Sequence, residues 1–171
     1  MAYSFLSRLV EAERRLAELE RRGRNRKRTG VVSEVDTKKG LARVKIMDGE
    51  QGPYLSPWMP WKEIASGGIK SHIPPTTGEQ VDVVSESGDL TDAVIDMSTP
   101  SDANPRPHDG PEAVITKGGT RITIGDGSVE IVADVTIKGR LDIDGAGVTH
   151  NGKDIGDTHR HTDVEPGGAL T

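Results

Sequence analysis

The sequence predicts a mainly β protein in which one N-terminal helix precedes a small barrel and a long strand-forming segment. Three observations support this prediction: a helical apolar stripe near the N-terminus, short runs of β-branched residues, and an alternating apolar pattern in the last third of the chain. The 171 residues also include 21 Gly and 10 Pro, which indicates either strands and turns or disorder, and the periodic patterns favour strands and turns.

Residues 4–22 are predicted to form the helix, with Ser4 as N-cap and Gly23 at the end of the pattern. A single helix of this length is marginal alone in water, so its apolar stripe requires a partner, and copies of the same helix are one candidate. The basic segment "RRGRNRKR" that follows has no apolar period and is expected to be an exposed arm. The stripe consists of Phe5, Leu6, Leu9, Val10, Leu16 and Leu19.

Charge is distributed unevenly along the chain. Residues 1–28 hold nine Lys/Arg against four Glu, whereas the remainder holds 13 basic and 23 acidic side chains. A basic head on an acidic body is compatible with nucleic-acid contact, with docking on an acidic protein ring, or with a merely solvated helix end.

Several classes of protein are disfavoured by what the sequence lacks. Without Cys there are no disulfides, thiolate metal sites or Cys nucleophiles. The chain has no Gly-rich phosphate loop and no Ser set beside a His/Asp pair, so we expect no enzyme and no small-molecule substrate. It also has no long apolar run and no signal-peptide pattern, so we expect synthesis in the cytoplasm without a signal peptide.

Residues 29–98 are predicted to form a small barrel such as an OB fold, with a β-sandwich fragment as the alternative. Two pairs of β-rich runs surround the turns "TKKG" and "GD", and a Pro- and Gly-rich connection joins the pairs. Trp58 and Trp61 lie in that connection. They could stack bases, as aromatic side chains do in single-strand-binding OB folds, but a place in the core or an interface is the favoured interpretation.

The alternating pattern indicates a β-segment that no single chain of this length can bury. After the Pro-rich linker, seven apolar residues occupy every second position except 139 over about 15 residues, longer than an average strand. They are Val129, Ile131, Ala133, Val135, Ile137, Leu141 and Ile143.

Association of three identical chains buries these side chains and pairs the open strand edges. A narrow threefold prism holds small branched side chains but few rings, in keeping with the absence of aromatic residues after Trp61. We therefore predict an intertwined trimeric β-helix; a single-chain β-helix would need more coils than the length allows. The predicted domains are the helix and basic arm (1–28), OB fold (29–98), linker (99–112), β-helical needle (113–158) and apex (159–171).

His159 and His161 are the predicted metal ligands, in the segment "THRHT". On an extended strand they point to the same side, so three chains would deliver six imidazoles to the threefold axis. Six nitrogen donors suit an octahedral ion such as Fe, Ni or Co better than Zn, which prefers four ligands. The alternative is that both are solvated tail residues. Weaker candidates are His150, at a predicted Asn-Gly turn, and the loop residues His72 and His108, which have no recognisable partner.

These segments together resemble the baseplate spike proteins of contractile-tailed phages, the baseplate assembly protein V family. The resemblance rests on "TGVVSEVDTKKGLARVKI", "SPWMPW" and "GEQVDVVSESGDL" in the barrel, and most specifically on "HNGKDIGDTHRHTDVEPGGALT" at the end. It implies a homotrimeric spike at the tail tip that pierces the host outer membrane when the sheath contracts. It further implies one iron ion per trimer held by His159 and His161 of three chains, and a baseplate hub protein next to the N-terminal end.

Two other functions remain open at this point. The first is an OB-fold nucleic-acid-binding protein that uses the basic N-terminal arm, against which the acidic residues between 79 and 102 argue. The second is a metalloenzyme that uses the histidines with an open coordination position. Six equivalent ligands would saturate the metal, so this function ranks last.

Overall fold

The computed structural model describes residues 5–145 and 147–155, and it divides the chain into two compact units, Met1–Ile115 and Thr116–Thr171. Among the described residues, the first unit contains one α-helix, a short 3-10 helix (Leu90–Asp92) and a barrel. The second contains most of two small sheets. Within the described residues, no helix is long and apolar enough to cross a membrane.

Helix α1 spans Phe5–Asn25 and leaves none of its residues buried. It continues past Gly23, where the apolar pattern stops, because a single Gly costs a helix only about 1 kcal/mol relative to Ala. Carboxylates at Glu18 and Glu20 also pair with arginines three and four residues later. The basic segment is mostly exposed, as predicted, but it has regular structure: its first arginines lie in the helix, and Lys27 begins the first strand.

Six strands form the barrel of the first unit. The sheet order is β3-β2-β1-β5-β6, all neighbours being antiparallel, and β4 pairs with β2. The ring closes where Trp61 bridges Ile95 in parallel and the backbone N–H of Lys62 donates to Ile95 O at 2.8 Å. The strands are β1 (Lys27–Asp36), β2 (Leu41–Gly49), β3 (Gly52–Leu55), β4 (Met59–Pro60), β5 (Gln80–Val84) and β6 (Val94–Ser98).

This closed ring is the barrel that the sequence predicts, rather than a sandwich of two sheets. Both predicted turns are present: Gly40 (φ 68°) connects β1 to β2, and Gly88 (φ 79°) lies between β5 and β6. The sequence indicates four or five strands and the structure has six, because the two-residue strand β4 is too short to carry a period.

The barrel core is aliphatic and follows the period-two pattern of its strands. Ala42 and Val44 of β2 alternate with partly exposed neighbours, as Val81 and Val83 of β5 do. Gly30 of β1 belongs to the same interior, where a Cβ would lie 2.5 Å from Val44 Cγ1. The buried apolar residues are Val32, Ala42, Val44, Met59, Val81, Val83, Leu90, Ala93 and Ile95.

Residues 99–112, the predicted linker, contain no helix or strand. Its first part is nevertheless held on the barrel, because Thr99 N–H donates to Gln80 O at 2.9 Å and Asn104 Nδ2 donates to Gly78 O at 2.8 Å.

The residues after the linker form two small sheets. Strands β7 (Ala113–Lys117), β8 (Thr120–Gly125) and β9 (Ser128–Val132) form a three-stranded sheet in that order. The predicted turn at Asp126-Gly127 connects β8 to β9, with Gly127 at φ 79°. Strands β10 (Thr149–His150) and β11 (Lys153–Asp154) form a hairpin around Asn151 and Gly152, both with positive φ, which is the turn predicted there. No strand is assigned to residues 133–145.

Candidate functional surfaces

His159 and His161 lie outside the described residues. Within the part of the chain that is described, no group of three or more His, Asp or Glu side chains is placed to hold a metal ion. His150 is exposed at the end of β10, where its ring nitrogen lies 3.5 Å from Asn151 Nδ2. Among the described residues, no other side chain is therefore placed to bind a metal ion together with His150.

His72 and His108 have carboxylate partners that the sequence does not reveal. His108 Nε2 lies 2.7 Å from Glu112 Oε2, and this contact lowers the pKa of the Glu112 carboxyl. His72 Nδ1 lies 3.8 Å from Glu63 Oε1. The expectation that these two histidines have no recognisable partner was therefore wrong.

Glu63 organises the long connection between β4 and β5. Its carboxylate accepts hydrogen bonds from Trp61 Nε1 at 2.8 Å, Ser71 Oγ at 2.8 Å and the backbone N–H of Ile73 at 3.0 Å. These donors, the Trp61 indole foremost, hold the pKa of Glu63 below its ordinary value of 4.5. One carboxylate thus fixes both the Trp61 side chain and a loop that contains no regular structure.

The two tryptophans have different surroundings. Trp61 packs against the barrel core, and its ring centroid lies 6.3 Å from that of His72. Trp58 is 44% exposed and has the Arg43 guanidinium 5.8 Å from its ring centroid. The prediction of a place in the core is confirmed for Trp61. One face of the Trp58 ring is covered by the Arg43 guanidinium, so that face is not open for stacking a base.

A groove of about 560 Å³ opens on the barrel surface beside Trp61. Its walls are largely apolar and include Ile73, Pro74 and Met97, but three carboxylates also line it. They belong to Glu63, Glu79 and Asp96, and of these Asp96 pairs with Lys62 of the same lining at 3.0 Å, which leaves an excess of negative charge. Since a nucleic-acid backbone is negatively charged, this lining disfavours the alternative function in which the OB fold binds a single strand.

Replacing Glu63 tests whether the carboxylate stabilises the barrel. A carboxyl whose folded pKa is lowered stabilises the fold above its unfolded pKa, and this contribution is lost as the pH falls through the folded value. Glu63→Gln is therefore expected to lower the midpoint temperature of thermal unfolding at pH 7. Below about pH 4.5, the midpoint temperature of the variant is expected to fall less steeply with decreasing pH than that of the unsubstituted protein, because the variant has no Glu63 carboxylate to protonate. Tryptophan fluorescence gives the midpoint at each pH.

Glu86→Gln is the control, because Glu86 is exposed and makes no hydrogen bond in the described structure. An unchanged midpoint at pH 7 in both variants would show that the Glu63 contacts do not stabilise the barrel.

Aliphatic side chains are widely exposed in the second unit. In the β8–β9 pair, Ile124 lies opposite Val129, and these side chains are 48% and 63% exposed. Further along, Val135, Ile137 and Leu141 are 61%, 54% and 60% exposed. Large exposed apolar patches are unusual on monomeric soluble proteins, so these side chains are a candidate surface for a partner.

The barrel matches a known family of domains. Residues 28–98 match the family described as the type VI secretion system/phage-baseplate injector OB domain. The spike protein of Escherichia phage P2 is 32% identical over 92 residues, which are 54% of this chain and 41% of that protein. This chain therefore spans less than half the length of that relative. These matches confirm the resemblance to baseplate spike proteins drawn from the sequence.

Proposed function

We propose that this chain, which carries an injector OB domain at residues 28–98, is the trimeric membrane-piercing spike of a contractile phage tail or a related injection machine. Its role is structural: it concentrates force on a rigid point and makes no covalent change. The proposal rests on two observations: the match of the barrel to injector OB domains, and the exposed aliphatic side chains of the second unit, which we call the ladder. The ladder comprises Ile124, Val129, Ile131, Val135, Ile137, Leu141 and Ile143.

A threefold assembly of identical chains accounts for the ladder. One chain leaves Val135, Ile137 and Leu141 more than half exposed, and burying apolar surface contributes about 25 cal/mol per Å². Strands β7 and β9 are the outer strands of their sheet, so their free edges are available to neighbouring chains. Since no aromatic residue follows Trp61, the side chains of a narrow prism would all be small enough to fit around one axis.

The metal of the proposed apex is an iron ion held by His159 and His161 of three chains. Six neutral imidazoles fit an octahedral ion, and iron is the choice that the resemblance favours. The ion would supply a fixed link among three chain ends. The histidines would hold the ion only in the assembled trimer, because one chain offers two of the six ligands.

The two ends of the proposed spike have different partners. The N-terminal end, which is basic over residues 1–28, would face the baseplate hub protein, and the apex would meet the host outer membrane. The chain would be made in the host cytoplasm, and its mature location would be the tail baseplate of the virion.

Removing the apex histidines tests the metal proposal. The double variant His159→Ala/His161→Ala is expected to lose its iron completely and to remain a trimer, because the aliphatic ladder holds the chains and the ion holds only the tip. Inductively coupled plasma mass spectrometry on untagged protein gives the metal content. His161→Ala alone is likewise expected to leave the trimer assembled.

His150→Ala is the matched control, since it removes an exposed imidazole of the hairpin. Its iron content is expected to equal that of the unsubstituted protein. Equal iron in the double variant, or iron loss in the control, would contradict the assignment of the ligands.

A further inference from the structure

Helix α1 presents a second unpartnered surface, which is distinct from the ladder of the second unit. None of its residues is buried, and its apolar side chains remain between 42% and 84% exposed. Within the apolar stripe of this helix, a narrower row of five side chains follows the alternating spacings of four and three residues that define positions a and d of a heptad. These are Phe5, Leu9, Ala12, Leu16 and Leu19.

Opposite charges line the two sides of this stripe. If Leu9 and Leu16 occupy a, then Arg8 and Arg15 occupy g on one side. On the other side, position e is held by Leu6 and then by two carboxylates. The carboxylates are Glu13 and Glu20.

Contacts within the helix leave part of this charge unpaired. Arg15 pairs with Glu11 at 2.9 Å, an exposed pair of the kind that contributes little to stability. Arg8 and Glu13 form no ion pair within the described residues. Arg8 and Glu13 are thus available to another chain, whereas Arg15 and Glu20 would exchange their exposed partners within the helix, Glu11 and Arg24, for each other.

We propose that α1 is an oligomerisation helix that forms a parallel, in-register coiled coil with the same helix of other copies of this chain. In a parallel coil, each g residue faces the e residue of the next heptad on the neighbouring helix. Arg8 then meets Glu13 of the neighbouring copy, and Arg15 meets Glu20 of the neighbouring copy. Every such contact joins opposite charges.

The same charges disfavour the antiparallel arrangement. Antiparallel coils place g against g and e against e, so Arg would face Arg and Glu would face Glu. Charge complementarity therefore selects both the partner, a second copy of this helix, and its orientation.

The coil is short, with Ala12 in its middle and Gly23 near its end, so it is not expected to hold chains together alone. The number of helices, three, rests on the proposed trimeric needle, which would keep the helices at high effective concentration.

The C-terminal part of α1 is also fixed to the barrel: a Cβ at Gly88 would lie 2.5 Å from Arg22 O, so helix and barrel backbones are in close contact.

Disulfide trapping tests the coil in the full chain, which has no Cys of its own. Leu19→Cys places a thiol at position d, where equivalent residues of parallel helices meet across the axis. We expect an interchain disulfide on mild oxidation. Arg14→Cys is the control, because position f points away from the stripe, and we expect no disulfide there. The mass of each variant in solution is measured alongside by light scattering.

The outcomes separate this inference from the proposed function. If Leu19→Cys forms a trimer without an interchain disulfide, the coiled coil is overturned and the needle is left intact, whereas a monomer would overturn both. A disulfide in a dimer would support the coil and contradict the trimeric needle. Adding Glu13→Arg and Glu20→Arg to Leu19→Cys is expected to lower the disulfide yield; an unchanged yield would overturn the paired register.

Discussion

Ile137→Asp is expected to abolish the trimer. The proposed needle turns Ile137 toward the threefold axis, so the substitution would bring three carboxylates together in an apolar interior. Buried like charges without partners are strongly unfavourable, at roughly 3–5 kcal/mol for each uncompensated charge. Three such charges exceed what a small interface can offset. Light scattering should therefore give the mass of one chain, 18.3 kDa, in place of three.

Thr136→Asp is the control for this prediction. It introduces the same charge one residue away, on the face that alternation assigns to solvent. The control is expected to remain trimeric with unchanged heat stability. An intact, equally heat-stable trimer of Ile137→Asp would show that Ile137 does not face inward and would remove the main physical reason for the needle.

Val44→Asp is expected to unfold the barrel while the trimer persists. Val44 has no solvent exposure, and its backbone N–H is satisfied by Ser56 Oγ at 2.9 Å, so the new carboxylate would lie in an apolar core without a partner. The cost, on the order of 3–5 kcal/mol, is comparable to the whole stability of many small domains.

The two units can be followed separately because both tryptophans lie in the barrel. In Val44→Asp, the thermal transition seen by tryptophan fluorescence should disappear, while the mass in solution stays that of a trimer. Met47→Asp is the control, since Met47 of β2 is 61% exposed, and its transition should be preserved. Loss of the trimer in Val44→Asp would mean that the barrel, rather than the ladder, holds the chains together.

The barrel could be predicted from the sequence because its information is local. Period-two runs such as residues 41–46 specify strands, and Gly40 and Gly88 specify turns through positive φ. The Asn151-Gly152 turn was predictable for the same reason. These features do not depend on which residues meet across long distances.

Other features depend on contacts that no local pattern encodes. The role of Glu63 arises because the chain brings Trp61, Ser71 and Ile73 to one carboxylate, and a single Glu in a Pro-rich segment gives no sign of this. The sequence predicts that α1 ends at Gly23, but the helix continues to Asn25, because ion pairs such as Arg22–Glu18 offset the cost of one Gly. The helix then ends where β1 begins, at Lys27. The charge pattern that flanks the α1 stripe, by contrast, is visible in the sequence once residues are placed in heptads.

The alternating segment is a case in which sequence and single-chain structure differ for a physical reason. Its strict period extends over residues 129–143, yet the strand of the single chain ends at Val132. A strand needs hydrogen-bonding partners on its edges, and the proposed partners of residues 133–143 belong to other chains. In the proposed assembly, the sequence pattern would reflect contacts between chains, whereas one chain forms only the part that it can pair by itself.

Native mass spectrometry of the untagged full chain tests the central claim most directly, because it counts chains and metal ions in one measurement. The account predicts a species of three chains, each of 18.3 kDa, with one iron ion bound. A single chain without metal would contradict it, and the barrel would then be the part of the molecule that carries the function.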